Sequence, residues 1–165
     1  MTDTASLPYV EVPAKRSADK VPVQFDWHDY LANKWQRGTP YLLGARIRPE
    51  RLQATGLEYE VTTGGVSGNR RPNFPVTLSE TVQSGSVVFT AREMSDSSLR
   101  ATILSSTFPA VDGLTLSDQS DDDHVHTIFV AAGTSGQHYD VANRITLSNP
   151  PGELKEGVAR LMVQD

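Results

Sequence analysis

The C-terminal part of the chain reads ATILSSTF (residues 101–108), GLTLSDQS (113–120), HVHTIFVAAG (124–133), HYDVANRITLSN (138–149) and GVARLMVQD (157–165). Turn-forming residues separate these stretches at 109–113, 121–123, 133–136 and 149–152. Short strands at such even spacing are typical of an antiparallel immunoglobulin-like sandwich. We therefore predict a mainly β fold in which residues 99–165 form a sandwich of this kind.

The segment before this region adds one strand and one short helix. Val21, Val23 and Phe25 alternate with other residues, which predicts a strand. Asp26 is suited to cap a helix, and apolar residues follow it at helical spacing, so we assign residues 21–37 to the sandwich. The predicted helical face consists of Trp27, Tyr30, Leu31 and Trp35. Such a face forms either a local core, which we favour, or a hot spot for a protein partner.

Residues 38–93 have the pattern of a separate small β module. Leu57, Tyr59 and Val61 alternate along one predicted strand, and Val87 and Phe89 along another. Glycines in the stretches VTTGGVSG and QSGS supply the backbone freedom that tight turns require. The order of the segments predicts that this module is inserted between the first strand and helix and the rest of the sandwich.

Residues 1–20 are predicted to form an extended N-terminal arm. They contain prolines at positions 8 and 13 and show no hydrophobic period. Tyr9, Val10 and Val12 nevertheless make part of the arm apolar, so we expect these side chains to lie against another surface. A disordered tail is the alternative interpretation.

The composition argues against several classes of function. The chain has no cysteine, which excludes disulfides, thiolate zinc sites and cysteine nucleophiles. The formal net charge is -5, and residues 94–165 hold ten acidic and four basic residues, so there is no basic stripe for nucleic acid. No stretch approaches the roughly twenty apolar residues of a membrane-spanning helix, and no signal peptide is visible. We expect a soluble protein, made in the cytoplasm, that binds neither nucleic acid nor membrane.

The sequence predicts no catalytic residues and no cofactor. It contains no G-x-S-x-G, P-loop, G-x-G-x-x-G or H-E-x-x-H motif. The strongest candidates for metal binding are His124 and His126, which would share one face of a strand just after the acidic residues 121–123. Two histidines do not complete a coordination shell of three or four ligands, so we predict no metal site and interpret the cluster as a solvated acidic turn.

Two groups of stretches resemble proteins of tailed bacteriophages. FDWHDYLANKW (25–35), ATILSSTF, TIFVAAGTSG (127–136) and YDVANRITLSN (139–149) resemble the small sandwich proteins called fibre-to-tail adaptor proteins. YLLGARIRP (41–49), YEVTTGGVSG (59–68) and PNFPVTLSETVQSGSVVFTA (72–91) are similar to a short β module that recurs in phage virion proteins. Phe74 and Phe89 stand where that module usually has tryptophan, and Ser84 where it has aspartate, which favours packing over ligand stacking.

The resemblance implies a non-enzymatic virion structural protein, made in the host cytoplasm, that bridges head–tail, neck or tail components to fibres. Its implied partners are other virion proteins and further copies of itself. A capsid decoration or cement protein and a module that binds host glycans are the alternatives. The predicted protein-interface residues are the apolar residues of the arm, the two tryptophans and two loop arginines: Tyr9, Val10, Val12, Trp27, Trp35, Arg70 and Arg71.

Overall fold

The computed structural model describes residues 8–12, 14–49 and 55–164. Its elements, in chain order, are β1 (Tyr9–Glu11), β2 (Lys15–Arg16), β3 (Val21–Asp26), α1 (His28–Leu31), β4 (Pro40–Tyr41), β5 (Arg46–Ile47), β6 (Leu57–Thr63), β7 (Gly65–Val66), β8 (Thr81–Ser84), β9 (Val87–Glu93), a 3-10 turn (Asp96–Ser98), β10 (Ile103–Thr107), β11 (Leu114–Asp122), β12 (Val125–Ala132), β13 (His138–Ser148) and β14 (Pro151–Gln164). The predicted mainly β class is confirmed. None of the helices in the described part is long and apolar enough to cross a membrane.

The chain divides into two compact units. The sandwich unit combines the described residues up to Leu31 with those from Ala101 onward, and the inserted unit runs from Ala32 to Arg100. The chain thus leaves the sandwich unit after α1 and returns to it before β10. The inserted unit extends several residues beyond the predicted range 38–93 at both ends.

The sandwich unit contains two four-stranded sheets. Their strand orders are β1-β3-β12-β11 and β10-β13-β14-β2, and every neighbouring pair is antiparallel except β14 and β2. Alternation of side chains decides which face of each strand is buried. Along β14, for example, the residues Gly157, Ala159, Leu161 and Val163 are buried while the residues between them are exposed. The core so formed also includes Val23, Phe25, Trp27, Leu31, Ile128, Val130, Val141, Ile145 and Leu147.

Helix α1 is shorter than its sequence pattern predicts. Asp26 caps it as expected, because its Oδ1 accepts a hydrogen bond from the backbone N–H of His28 at 2.9 Å. The helix nevertheless ends at Leu31. Ala32 then forms an antiparallel bridge with Leu99, so its backbone is engaged outside the helix. Trp35 therefore lies outside the helix that carries Trp27, and the predicted helical face with both tryptophans does not exist.

The inserted unit contains a four-stranded sheet of order β5-β6-β9-β8 and a two-stranded sheet formed by β4 and β7. Its core is rich in aromatic residues and consists of Ile47, Tyr59, Val61, Phe74, Val87, Phe89 and Ala91. Gly85, in the β8–β9 turn, has a φ of +64°. A Cβ atom there would lie 2.7 Å from the backbone nitrogen of Gly68, so the tight packing of this turn requires glycine.

Candidate protein-binding surfaces

The arm lies against the chain's own sandwich unit. Strand β1 pairs with β3, with Val10 opposite Phe25, and β2 pairs with β14. Val10 and Val12 are half-buried, whereas the side chain of Tyr9 lies outside the described part of the structure. The described arm thus covers one edge strand of each sheet, which is how β proteins protect unpaired strand edges.

A buried lysine closes the turn that follows β2. Lys15 is 1% exposed, and its Nζ donates to the backbone oxygens of Arg16 at 2.7 Å and of Asp19 at 2.6 Å. The carboxylate of Asp19 in turn accepts a hydrogen bond from the backbone N–H of Arg16 at 3.0 Å. Lys15 is therefore a structural residue of the arm, since its buried ammonium group donates hydrogen bonds to backbone oxygens of the same turn.

Neither tryptophan is an exposed hot spot. Trp27 is buried, and its indole Nε1 donates to Oδ1 of Asn143 at 2.7 Å. Trp35 is half-buried, packs against the aromatic core of the inserted unit, and donates to Oγ of Ser84 at 3.3 Å. The two rings are core or near-core residues of different units, so they do not form one local core. Trp27, which was also predicted as an interface residue, is too deeply buried to contact a partner in this fold.

The arginines of the inserted unit have two different surroundings. Arg70 is exposed and Arg71 is half-buried, both in the segment between β7 and β8. Arg46 instead contacts the side chain of Glu58, which is fully buried. Arg70 is therefore accessible to a partner, whereas the guanidinium group of Arg46 is engaged by Glu58 of the same unit.

Glu58 is held in its ionised form by this contact. Burial alone would raise its pKa, but hydrogen bonds from Arg46 and from the side chain and backbone of Ser95 together hold the pKa below its usual range. The Oγ of Ser95 lies 2.8 Å from Oε1 of Glu58, and its backbone N–H lies 3.1 Å from Oε2. The resulting network joins strands β5 and β6 to the segment that follows β9.

The histidines considered for metal binding lie in different surroundings. His126 is on β12, is buried, and places Nδ1 2.7 Å from Oδ1 of Asp121. His124 lies in the turn before β12, and its ring packs against that of His28, with the ring centroids 4.9 Å apart. Within the described ranges, His126 belongs to no group of three or more potential metal ligands. Residues 121–123 are exposed, but Asp121 and Asp122 form the end of β11, so only Asp123 belongs to the turn. Both histidines are buried, so the prediction of a solvated turn holds for the acidic residues alone.

A hydrogen-bonded turn in the inserted unit exposes two neighbouring leucines, which sequence reasoning missed. Leu42 is 81% exposed and Leu43 is 73% exposed. The backbone N–H of Ala45 donates to the oxygen of Leu42 at 3.1 Å, and Gly44 has the φ of +82° that a type II turn requires at this position. Gly44 also donates to the oxygen of Val61 at 2.9 Å, which ties the turn to β6. We call residues 42–45 the leucine turn.

The outer face of strand β14 is the second surface that sequence reasoning missed. Leu154, Val158 and Met162 are 64%, 49% and 45% exposed on it. The charged residues between them form ion pairs with β13: Nε of Arg144 lies 2.5 Å from Glu156, and Nε of Arg160 lies 2.8 Å from Asp140. The second pair holds the pKa of Asp140 below and that of Arg160 above their usual ranges. The sequence did contain a signal for this surface, because apolar residues occupy both the inward and the outward positions of this strand.

The inserted unit lacks an exposed aromatic platform in the part that the structure describes. Trp35 and Tyr41 are half-buried, and Tyr59, Phe74 and Phe89 are buried. Tyr41 borders an open pocket of about 420 Å³, but its hydroxyl already accepts a hydrogen bond from the backbone N–H of Gln36 at 2.7 Å. Desolvation of this hydroxyl raises its pKa. Sugars bind to proteins largely by stacking on exposed rings, so these positions give little support to a glycan site.

Comparison with known protein families finds a similarity over less than half of the chain. A family model described as podophage GP4 fiber-tail adaptor protein gp77 matches residues 86–159. The matched region begins with β9 and ends within β14. No curated protein and no solved structure gave a significant match. The resemblance to fibre-tail adaptors inferred from the sequence is therefore confirmed over these residues.

Proposed function

We propose, from the similarity of residues 86–159 to podophage fibre-tail adaptors, that this chain is a virion structural protein that attaches fibres to the tail. It acts through protein–protein contacts and without catalysis. The family match is the observation that carries the proposal. The matched strands include β10 to β13, which form much of the two sheets of the sandwich unit, so the similarity involves a folded framework and not a single motif.

The leucine turn is our proposed contact for a tail or fibre protein. Two large apolar side chains that are held in solvent by a hydrogen-bonded turn are costly to leave exposed, since each buried leucine contributes about 1.5–3 kcal/mol. A turn whose backbone is already hydrogen-bonded also loses less conformational entropy when it binds than an open loop does. The accessible guanidinium of Arg70 belongs to the same unit and supports an acidic partner surface.

The proposal is tested with particles assembled in the absence of this chain. We expect such particles to have filled heads and tails but no attached fibres, and purified protein added to them should restore fibre attachment in electron micrographs. Particles that carry a normal number of fibres without the chain would contradict the proposal. Fibre loss accompanied by empty or unstable heads would instead indicate a decoration or cement protein.

The contact is tested in the same assay with the double variant Leu42→Asp and Leu43→Asp. We expect its attachment of fibres to fall about tenfold or more, because two buried apolar contacts are replaced by charges. Val76→Asp provides a matched control, since Val76 is 74% exposed in the same unit and outside the turn. Equal attachment by the double variant and the control would show that the leucine turn is not the contact.

A further inference from the structure

The outer face of strands β13 and β14 carries a symmetric arrangement of charge. Along β14 the outward residues are Leu154, Glu156, Val158, Arg160 and Met162. Val158 lies at the centre of this series, with an acidic residue two positions before it and a basic residue two positions after it. Reversal of the strand direction therefore exchanges the two signs of charge and leaves the apolar positions apolar.

Strand β13 repeats this arrangement with matching register. Ala142 is paired with Val158, and it has Asp140 two positions before it and Arg144 two positions after it. Asp140 is paired with Arg160 across the strands, and Arg144 with Glu156. The two strands thus form a central apolar row, one charged row on each side of it, and apolar side chains beyond the charged rows on β14.

We infer that this face binds the same face of a second copy of the chain about a two-fold axis that runs along the row of Ala142 and Val158. Rotation about this axis places Glu156 opposite Arg160 of the second copy, and Asp140 opposite Arg144 of the second copy. Val158 then meets its own equivalent, and Leu154 meets Met162. All four charged positions face an opposite charge, and the exposed apolar residues of β14 are covered.

The geometry of packed sheets allows these contacts. Aligned sheets pack about 10 Å apart at an angle of about 30°, and the charged rows lie about 7 Å from the proposed axis. A rotation of this size displaces facing residues by about 4 Å at that distance, which an arginine side chain spans. Near the axis, the contact between the two copies of Val158 is almost unaffected.

The size of the face predicts a weak dimer. Nine residues along the two strands β13 and β14 cover roughly 300 Å² on each copy. The total of about 600 Å² is below the size of stable, specific protein interfaces. We therefore expect a monomer–dimer equilibrium that depends on protein concentration, and not an obligate dimer. This inference stands on the geometry alone and does not depend on the proposed function.

The first test is sedimentation equilibrium of the full chain over a range of concentrations. We expect the average mass to rise from that of the monomer towards that of the dimer. Val158→Asp places two carboxylates on the axis and should weaken the dimer by at least about tenfold. Val76→Asp, at an exposed position of the inserted unit, should leave the equilibrium unchanged. A wild-type chain that stays monomeric throughout, or equal effects of both variants, would overturn the inference.

The second test uses charge reversal to recognise the facing residues. Glu156→Lys and Arg160→Glu each oppose like charges in a homodimer, so each variant alone should be monomeric at concentrations where the wild type dimerises. A mixture of the two variants pairs the introduced lysine with the introduced glutamate and restores the remaining native pair, so it should form a heterodimer of wild-type strength. Circular dichroism establishes that both variants are folded. Failure of the mixture to dimerise would contradict the proposed axis.

Discussion

The core of the sandwich unit is mostly aliphatic and lies between long strands, whereas the inserted unit relies on aromatic rings and side-chain networks. Strands β13 and β14 contain 11 and 14 residues, but the longest strands of the inserted unit contain seven. In the inserted unit, the ring centroids of Tyr59 and Phe74 are 4.5 Å apart, and those of Phe74 and Phe89 are 6.0 Å apart. Large rings bury much area per residue, which compensates for short strands.

The two units also differ in how their buried polar groups are used. In the sandwich unit, Asn143 links the indole of Trp27 to the Oγ of Ser106, and all three groups are neutral. In the inserted unit, the charged side chain of Glu58 is satisfied by Arg46 and Ser95. The comparison teaches that the short-stranded unit uses a charged network to join three of its segments, whereas in the long-stranded unit the buried charge of Lys15 closes a single turn and the amide of Asn143 orients one ring.

The largest expected effect comes from breaking the sandwich core at Trp27. Trp27→Ala should lower the free energy of unfolding by about 3–5 kcal/mol, because it leaves a cavity and removes the partner of Asn143. Urea unfolding followed by circular dichroism measures this change. Trp27→Phe keeps most of the packing and should cost roughly 1–3 kcal/mol. If the two variants are equally stable, the ring contributes little packing and the description of this core is wrong.

The charged network of the inserted unit is tested at Glu58. Glu58→Gln should lower the free energy of unfolding by about 1–3 kcal/mol at pH 7, because Arg46 loses a buried charged partner. Glu93→Gln, at an exposed position at the end of β9 in the same sheet, is the control and should be nearly neutral.

The dependence of this effect on pH follows from the lowered pKa of Glu58. A carboxylate with a depressed pKa stabilises the fold above its ordinary value of 4.5, and this stabilisation disappears as the pH falls through the folded-state pKa. The difference in the free energy of unfolding between the wild type and Glu58→Gln should therefore have its full size at pH 7 and become smaller below pH 4.5. A difference that stays constant down to acid unfolding would exclude the charge as its source.

The smallest expected effect concerns the arm. A Cβ atom at Gly157 would overlap with Cγ of Pro8 and lie 3.2 Å from Cδ1 of Phe25, so Gly157→Ala should displace the arm and leave the rest of the sandwich folded. Faster cleavage by trypsin after Lys15 or Arg16 would report the displacement. Adding Pro8→Ala removes the ring atom that clashes and should restore protection. Unchanged cleavage in the single variant would show that Pro8 does not hold the arm in place.

The alternation of apolar and polar residues predicted the strands well. A strand with one buried face has apolar residues at every second position, as at Ala159, Leu161 and Val163. The length of the helix was overestimated because Trp35 falls at helical spacing from Trp27. In the fold, Ala32 pairs with Leu99, and the helix ends before it reaches Trp35. Local pattern does not include such long-range pairing.

The binding surfaces were harder to predict for a related reason. Leu42 and Leu43 are as apolar as core residues, so only the fold reveals that a turn holds them in solvent. The charge symmetry of β13 and β14 likewise depends on the register between two strands, which the sequence alone leaves open. The half-buried positions of Val10 and Val12 were expected of a docked arm, but the edge strand on which β1 lies was not predictable.

Cryo-electron microscopy of intact particles tests the central claim most directly. We predict density for the two units of this chain between the tail and the base of the fibres, in a fixed number of copies per fibre. Density for the chain spread over the capsid lattice, or intact particles without the chain, would contradict the proposal that it attaches fibres to the tail.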